Sequence, residues 1–217
     1  MSITETLSKT PGKIPIWFSV PAEFIQIDPT ESLEDRVARL ASDISMTPGL
    51  NPQQQADLIF AQEALYRDLA KTGAIYAAHC VASSEHNQGL VSALFTVIIQ
   101  DLPQSHGHSL EQIARGLREP GSPVEVLTST YPAGLAIAHG RELSVKFNGQ
   151  HQTMRSADIM FMMPTQDQLA IFSISTSNIA DWDSFMSILD GIAMTVSFSP
   201  PNESASSIGS ILSGGVL

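Results

Sequence analysis

The sequence contains a single cysteine, Cys80, and few cationic residues. One cysteine excludes an intrachain disulfide, which suits a reducing compartment. Lysine and arginine together number 11 against 22 for aspartate and glutamate, and neither cation occurs after Arg155. The resulting net charge of -11 repels nucleic-acid phosphates and anionic lipid headgroups. The composition therefore argues against nucleic-acid and membrane partners and favours a basic protein partner or a cation.

Long apolar runs and familiar enzyme signatures are also missing. No stretch approaches the 18 continuous apolar residues of a membrane-spanning helix, and the N-terminus lacks the apolar core of a secretory signal. No P-loop, GxGxxG fingerprint or GxSxG nucleophile elbow occurs. From these absences we expect a cytoplasmic protein with no cofactor and no catalytic residue that sequence can identify.

The chain length predicts one domain with tails. A chain of 217 residues with 43% hydrophobic residues can bury one sizeable core. We expect a flexible N-terminal lead at 1–13, a single domain at 14–199, and a flexible C-terminal tail rich in Ser, Gly and Pro at 200–217.

Hydrophobic periodicity predicts an α+β domain. Apolar or alternating runs predict strands at 14–20, 24–27, 74–82, 90–99, 124–130, 135–145, 157–163, 169–175 and 195–198. Residues at spacings of three and four predict helices at 33–44, 51–72, 109–117 and 178–193, with a capping box from Ser109 to Gln112 and with Asn178 as the cap of the last helix. Hairpin-connected strands with helices between them indicate an antiparallel sheet covered by helices.

The order of these elements resembles the PsbP-like and Mog-like proteins, including uncharacterised bacterial members. The likeness covers 14–198 and is carried by a proline-bounded first strand, by the segment YPAGLAIAHG, and by the closing LAIFSISTSNIADWDSFMSILDGIAMTVSF. The resemblance implies an α/β/α sandwich and a non-enzymatic interaction scaffold, because relatives bind small GTPases, photosystem components or envelope partners. It does not identify a partner for this chain.

Histidines provide a candidate metal site. His106 and His108 in one loop can present two imidazoles to an ion, with His86 or His151 arriving from another turn. No spacing fixes a fourth ligand, so solvated loop histidines are the competing interpretation.

Other reactive side chains have packing interpretations. Cys80 and His79 are consecutive on a predicted strand and should point to opposite faces, which makes a buried thiol and a core histidine the expected roles. Asp181 and Asp183 are expected to be solvated charges at a helix start. Core filler is the role expected for the methionine set, which comprises Met160, Met162, Met163, Met186 and Met194.

The C-terminal tail contains a short apolar motif. Ile208, Gly209, Ser210 and Ile211 resemble the targeting peptides of encapsulin cargo, with Leu212 as an additional anchor. That resemblance implies that Ile208, Ile211 and Leu212 dock in a groove of a shell, whereas a disordered tail is the alternative.

Three functional hypotheses follow from the sequence. The first is a cytoplasmic, non-enzymatic protein-binding domain. The second is cargo or a component of a larger assembly that is addressed by the tail, and the third is a His-based metal-binding protein.

Overall fold

The computed structural model describes residues 2–6, 16–28, 31–45, 52–53, 56, 73–84, 89–103, 109–118, 125–147 and 150–200. Its strands are β1 (Ser2–Thr6), β2 (Ile16–Val20), β3 (Phe24–Gln26), β4 (Ala74–Ser83), β5 (Leu90–Asp101), β6 (Glu125–Tyr131), β7 (Gly134–Phe147), β8 (Gln150–Met162) and β9 (Gln168–Thr176). Its helices are α1 (Leu33–Ser45), α2 (Leu110–Leu117) and α3 (Trp182–Ala193), the last preceded by a 3-10 turn at Ile179–Asp181.

Seven strands form one antiparallel sheet in the order β3-β4-β5-β9-β8-β7-β6. Strands β1 and β2 form a separate two-stranded sheet, so the backbone of Ser2–Thr6, within the expected flexible lead, is paired with Ile16–Val20. The predicted antiparallel sheet packed against helices is confirmed. Most of the helix predicted at 51–72 lies outside the described residues.

Helix α3 covers one face of the seven-stranded sheet, which we call the α3 face. Its apolar residues recur at spacings of three and four, so Phe185, Leu189 and Ile192 point together into the core. Aromatic rings fill the space beneath the helix, with centroids 5.2–6.4 Å apart. These rings belong to Phe18, Phe24, Tyr76, Phe95, Tyr131, Phe161, Phe172 and Phe198.

Helix α2 packs on the opposite face, which we call the α2 face. The predicted capping box is confirmed, because the Ser109 hydroxyl accepts from the Gln112 amide and the Gln112 side chain accepts from the Ser109 amide. A smaller apolar cluster lies under the helix and contains Ala114, Val126, Ile137 and Met160. The described part of the chain therefore has a helix on each face of the sheet.

The strand predicted at 195–198 is wrong. Only Ser197 pairs there, through a single bridge to Trp17. The Thr195 hydroxyl donates to the Ile192 carbonyl, and the Thr195 and Val196 amides bond back to the last turn of α3. These bonds continue the helical turn, so the backbone cannot extend immediately after the helix.

The predicted cap at Asn178 is also wrong. Its side chain makes no capping bond and instead accepts from the Ser92 amide at 2.9 Å. The Thr176 hydroxyl donates to the Ser92 carbonyl at 2.7 Å and accepts from the Asn178 amide at 3.0 Å. The Asn178 side chain therefore bonds to the start of β5 rather than capping the helix, which is the role that the local sequence predicts.

Asp181 is buried rather than solvated, which corrects the expectation for this residue. The Ser84 hydroxyl lies 3.0 Å from both of its carboxylate oxygens. Asp183 is exposed, as expected for a charge in the first turn of α3.

Tyr131 joins the end of β6 to helix α3, because its hydroxyl donates to the Asp190 carboxylate at 2.8 Å. Burial, the hydrogen bond to Asp190 and the negative charge of Asp190 together raise the pKa of Tyr131 from 10.0 to about 12. The folded state thus favours the neutral phenol. Its contribution to stability is fully present below pH 10.0 and is lost as the pH rises through about 12.

We expect Tyr131→Phe to lower the free energy of unfolding by about 1 kcal/mol at neutral pH, because the partly buried hydrogen bond to Asp190 is lost. The difference between wild type and variant should stay constant below pH 10.0 and shrink toward pH 12. Urea denaturation of wild type and Tyr131→Phe, from neutral pH toward pH 12, measures the difference in the free energy of unfolding. A difference that remains constant up to pH 12 would contradict the role assigned to the phenol.

Candidate functional site

A row of polar side chains crosses the α2 face at one level. The pairing register aligns His139 with Asp158, Asp158 with Ser173, and Ser173 with Thr96. Ala157 and Ile159 belong to the core under α3, so the intervening Asp158 must point to the other face. His139, Asp158 and Thr96 are all buried. We call these four residues the polar row.

Asp158 is the centre of the polar row. One carboxylate oxygen accepts from the Ser173 hydroxyl at 2.6 Å, and the other lies 3.5 Å from Nδ1 of His139. The guanidinium of Arg141 approaches the second oxygen to 4.0 Å. A buried carboxylate needs such partners because desolvation penalises its charge. Ser173 and His139 of the row therefore provide the Asp158 carboxylate with hydrogen-bond partners, and Arg141, which lies outside the row, provides positive charge.

The order of the groups differs from that of a hydrolytic triad. In a Ser-His-Asp triad, imidazole lies between hydroxyl and carboxylate and takes the hydroxyl proton. Here the carboxylate of Asp158 lies between Ser173 and His139, and the hydroxyl donates to the carboxylate. The arrangement can order three strands, but it cannot pass the Ser173 proton directly to the imidazole.

A second polar level runs beside the first. The register aligns Arg141 with Ser156, and Ser156 with Ser175. The Ser175 hydroxyl donates to the Ser156 hydroxyl at 3.2 Å. The polar row is thus part of a wider polar region on the central strands of the α2 face.

Cys80 and His79 occupy opposite faces of β4, as predicted. The free thiol of Cys80 is buried in the core under α3. Burial raises the pKa of the Cys80 thiol, and the charge of Glu23 raises it further. The thiolate required of a nucleophile is therefore disfavoured at neutral pH.

The predicted metal and tail residues cannot be placed together. His86, His106 and His108 lie outside the described residues, and His151 lies in β8 without a described side chain. In the described ranges no group of three or more His, Cys, Asp and Glu could hold a metal ion. Ile208, Ile211 and Leu212 also lie outside the described residues. The histidine metal site and the docking of the C-terminal tail therefore stay predictions.

The outer edge of β6 is a second candidate site. Strand β6 ends the sheet, and the described part of the chain places no strand beyond it. Its sequence EVLTSTY contains no proline or lysine and has Glu125 as its only charged residue. Lysine, proline and bulges are the usual means by which edge strands avoid pairing with other chains. Leu127 on this strand is 62% exposed.

The register shows which backbone groups of β6 face outward. Tyr131 pairs with Gly134 across a two-residue turn, which makes them a pair that exchanges backbone hydrogen bonds. Backbone groups alternate in direction along a strand, so those of Val126, Thr128 and Thr130 face away from β7. These three residues form what we call the β6 edge.

One position of the β6 edge has a partner. The Arg118 guanidinium, at the end of α2, donates to the Val126 carbonyl at 3.1 Å. This bond agrees with the outward direction inferred from the register. In the described part of the chain, Thr128 and Thr130 receive no corresponding backbone hydrogen bond.

Sequence reasoning missed both sites. The polar row combines residues from four strands, so it requires a register that sequence periodicity cannot provide. One local signal existed, because Asp158 stands in the otherwise apolar segment ADIMFM. The β6 edge requires the strand order, since the same sequence in a central strand would be paired on both sides.

Comparison with models of known protein families gives no match, and neither does comparison with curated proteins. In the described residues no helix is long and apolar enough to cross a membrane.

Proposed function

We propose that this chain is a cytoplasmic, non-enzymatic protein-binding domain with a PsbP-like α/β/α sandwich fold, and that it binds its partner by strand addition at the β6 edge. The observation that supports the proposal is the seven-residue strand Glu125–Tyr131, whose outer side has no strand neighbour in the described part of the chain. An extended segment of another protein can hydrogen-bond to such an edge.

The buried reactive groups support binding rather than catalysis. Asp158 is engaged by Ser173 and His139 in an order that does not suit proton transfer from the hydroxyl to the imidazole. The Cys80 thiol is buried, and its raised pKa disfavours the thiolate. These groups act as packing and ordering elements of the sheet.

Net charge opposes long-range attraction between this chain and anionic partners, but it does not decide the short-range contacts at the β6 edge. The net charge is -11, and the last cation of the sequence, Arg155, is bonded to Glu142 at 2.6 Å and lies 5.8 Å from the Trp182 ring. An acidic protein attracts basic partners at long range but leaves the affinity to short-range contacts. At the β6 edge those contacts are backbone hydrogen bonds and the exposed Leu127 side chain.

Site-specific photo-crosslinking tests the proposal. A photoreactive amino acid at Thr128 should crosslink one reproducible protein in native cells, whereas the same group at Glu111, which is exposed on α2, should not. The captured protein is then purified and titrated against wild type and Thr128→Pro, which removes an outward amide and spares the bonds to β7.

We expect Thr128→Pro to weaken this binding about tenfold or more, because outward hydrogen bonds and strand geometry are lost together. The matched control is Thr128→Ala, which changes the same side chain but keeps the outward amide, so its affinity should stay close to that of wild type. Equal affinity of wild type and Thr128→Pro for the purified partner would overturn the proposal.

A further inference from the structure

The β6 edge is complementary to itself. If two copies of β6 run antiparallel about a two-fold axis at Thr128, the outward residues pair Thr128 with Thr128 and Val126 with Thr130 of the other copy. Every outward backbone position then meets another outward position. The side chains on the α2 face form Thr-Thr and Val-Thr cross-strand pairs, which are favourable combinations.

The same pairing covers the exposed apolar side chain of the strand. Leu127 lies opposite Ser129 of the other copy, and the two Leu127 side chains become diagonal neighbours across the axis. Each Leu127 is 62% exposed in the single chain, so mutual contact removes apolar surface from water. A strand from a different protein need not place an apolar residue beside Leu127, whereas a second copy of this chain always places its own Leu127 there.

Charge does not oppose this pairing locally. Glu125 lies opposite Tyr131 of the other copy, so the two Glu125 carboxylates are about 20 Å apart along the strands, well beyond the screening length of about 8 Å at physiological salt. At each end of the paired region the Val126 carbonyl accepts from Arg118 of its own chain and would also accept from the Thr130 amide of the other copy. A carbonyl oxygen has two lone pairs and can accept both donors. Among the described residues, none competes in this way for the central pair at Thr128.

We infer that two copies of this chain associate through antiparallel pairing of their β6 edges, which joins the two sheets into one continuous sheet. The inference rests on the proposed function, since it names a second copy as the protein that the edge binds. The two net charges of -11 repel each other, so the association should strengthen as salt is added.

A charge-exchange experiment tests the register. Wild type should show a concentration-dependent monomer–dimer equilibrium by sedimentation velocity. Leu127→Lys and Leu127→Asp should each weaken dimerisation about tenfold or more, because an apolar contact is replaced by two like charges. An equimolar mixture of the two variants should restore a dimer. Ile25→Lys is the control: Ile25 is 45% exposed but lies on β3, at the opposite edge of the sheet, and dimerisation should be unchanged.

Disulfide trapping provides a second measurement that does not depend on charge. Thr128→Cys places like residues opposite each other with Cα atoms about 5.5 Å apart, within the range of a disulfide. Thr130→Cys places like residues about 14 Å apart along the strands and should not crosslink. The native Cys80 thiol is buried and does not compete.

Two results overturn the inference: a wild type that is monomeric at its highest soluble concentration, and a mixture of the Leu127 variants that stays monomeric. If either occurs while Thr128→Pro still weakens binding of a different purified protein, the inference fails and the proposed function stands. If Thr128→Pro also leaves that binding unchanged, both fail.

Discussion

Replacing Phe172 with alanine lowers the free energy of unfolding by about 3–5 kcal/mol. Phe172 is fully buried on the central strand β9, and its ring lies 5.4 Å from that of Phe18, 6.4 Å from that of Phe95 and 5.8 Å from that of Phe161. Truncation removes these contacts and leaves a cavity in surroundings that can collapse only partly. Guanidinium denaturation followed by circular dichroism measures the loss.

A matched truncation at the periphery provides the control. Phe198 is only partly buried and, among the described residues, has one close ring neighbour, Phe161, at 6.3 Å. Phe198→Ala should therefore cost clearly less than Phe172→Ala. Equal losses at the two positions would contradict the packing described here, because they would mean that the centre of the aromatic cluster is no better packed than its margin.

The contrast between these rings shows what the sequence could predict about the fold. Apolar periodicity correctly predicted strands near β4, β5, β6 and β9, because alternation is a property of each segment alone. It could not predict that β9 lies between β5 and β8, which brings Phe172 to the centre of the aromatic cluster. That order depends on which strand edges meet, and several orders would bury the same residues.

Asn178 shows how a tertiary contact overrides a local signal. An asparagine before an acidic helix start is a good N-cap in isolation. In the folded chain the Ser92 amide at the start of β5 uses the same side-chain oxygen. Beginning the helix with a 3-10 turn at Ile179–Asp181 leaves that oxygen available to β5. No feature of the segment itself indicates that a strand end lies within reach.

Asp158 shows both why strand order cannot be read from sequence and why tertiary contacts cannot. Its position within an apolar strand indicates that it is buried, but its partners Ser173 and His139 are distant in sequence. The polar row therefore became recognisable as a candidate site only once the strand register was known. Whether the row orders the sheet or serves chemistry can be decided by the energetic consequences of removing its central carboxylate.

Replacing Asp158 with alanine should lower the free energy of unfolding by about 1–3 kcal/mol for each group that loses its acceptor. The Ser173 hydroxyl and the His139 ring nitrogen both depend on this carboxylate, and both lie in or near the buried face. Asp158→Asn retains one oxygen acceptor and the side-chain shape, so it should cost less. Denaturant unfolding of wild type and the two variants measures both effects.

A double-mutant cycle with Ser173→Ala separates the hydrogen bond from the rest of the row. Because the two side chains are in direct contact at 2.6 Å, their substitutions should be non-additive, with a coupling energy of about 0.5–3 kcal/mol. A carboxylate retained for binding or catalysis would cost stability instead, and Asp158→Ala would then leave the free energy of unfolding unchanged or raise it. That result would indicate that the polar row is retained for a purpose other than stability and would make it the site to pursue.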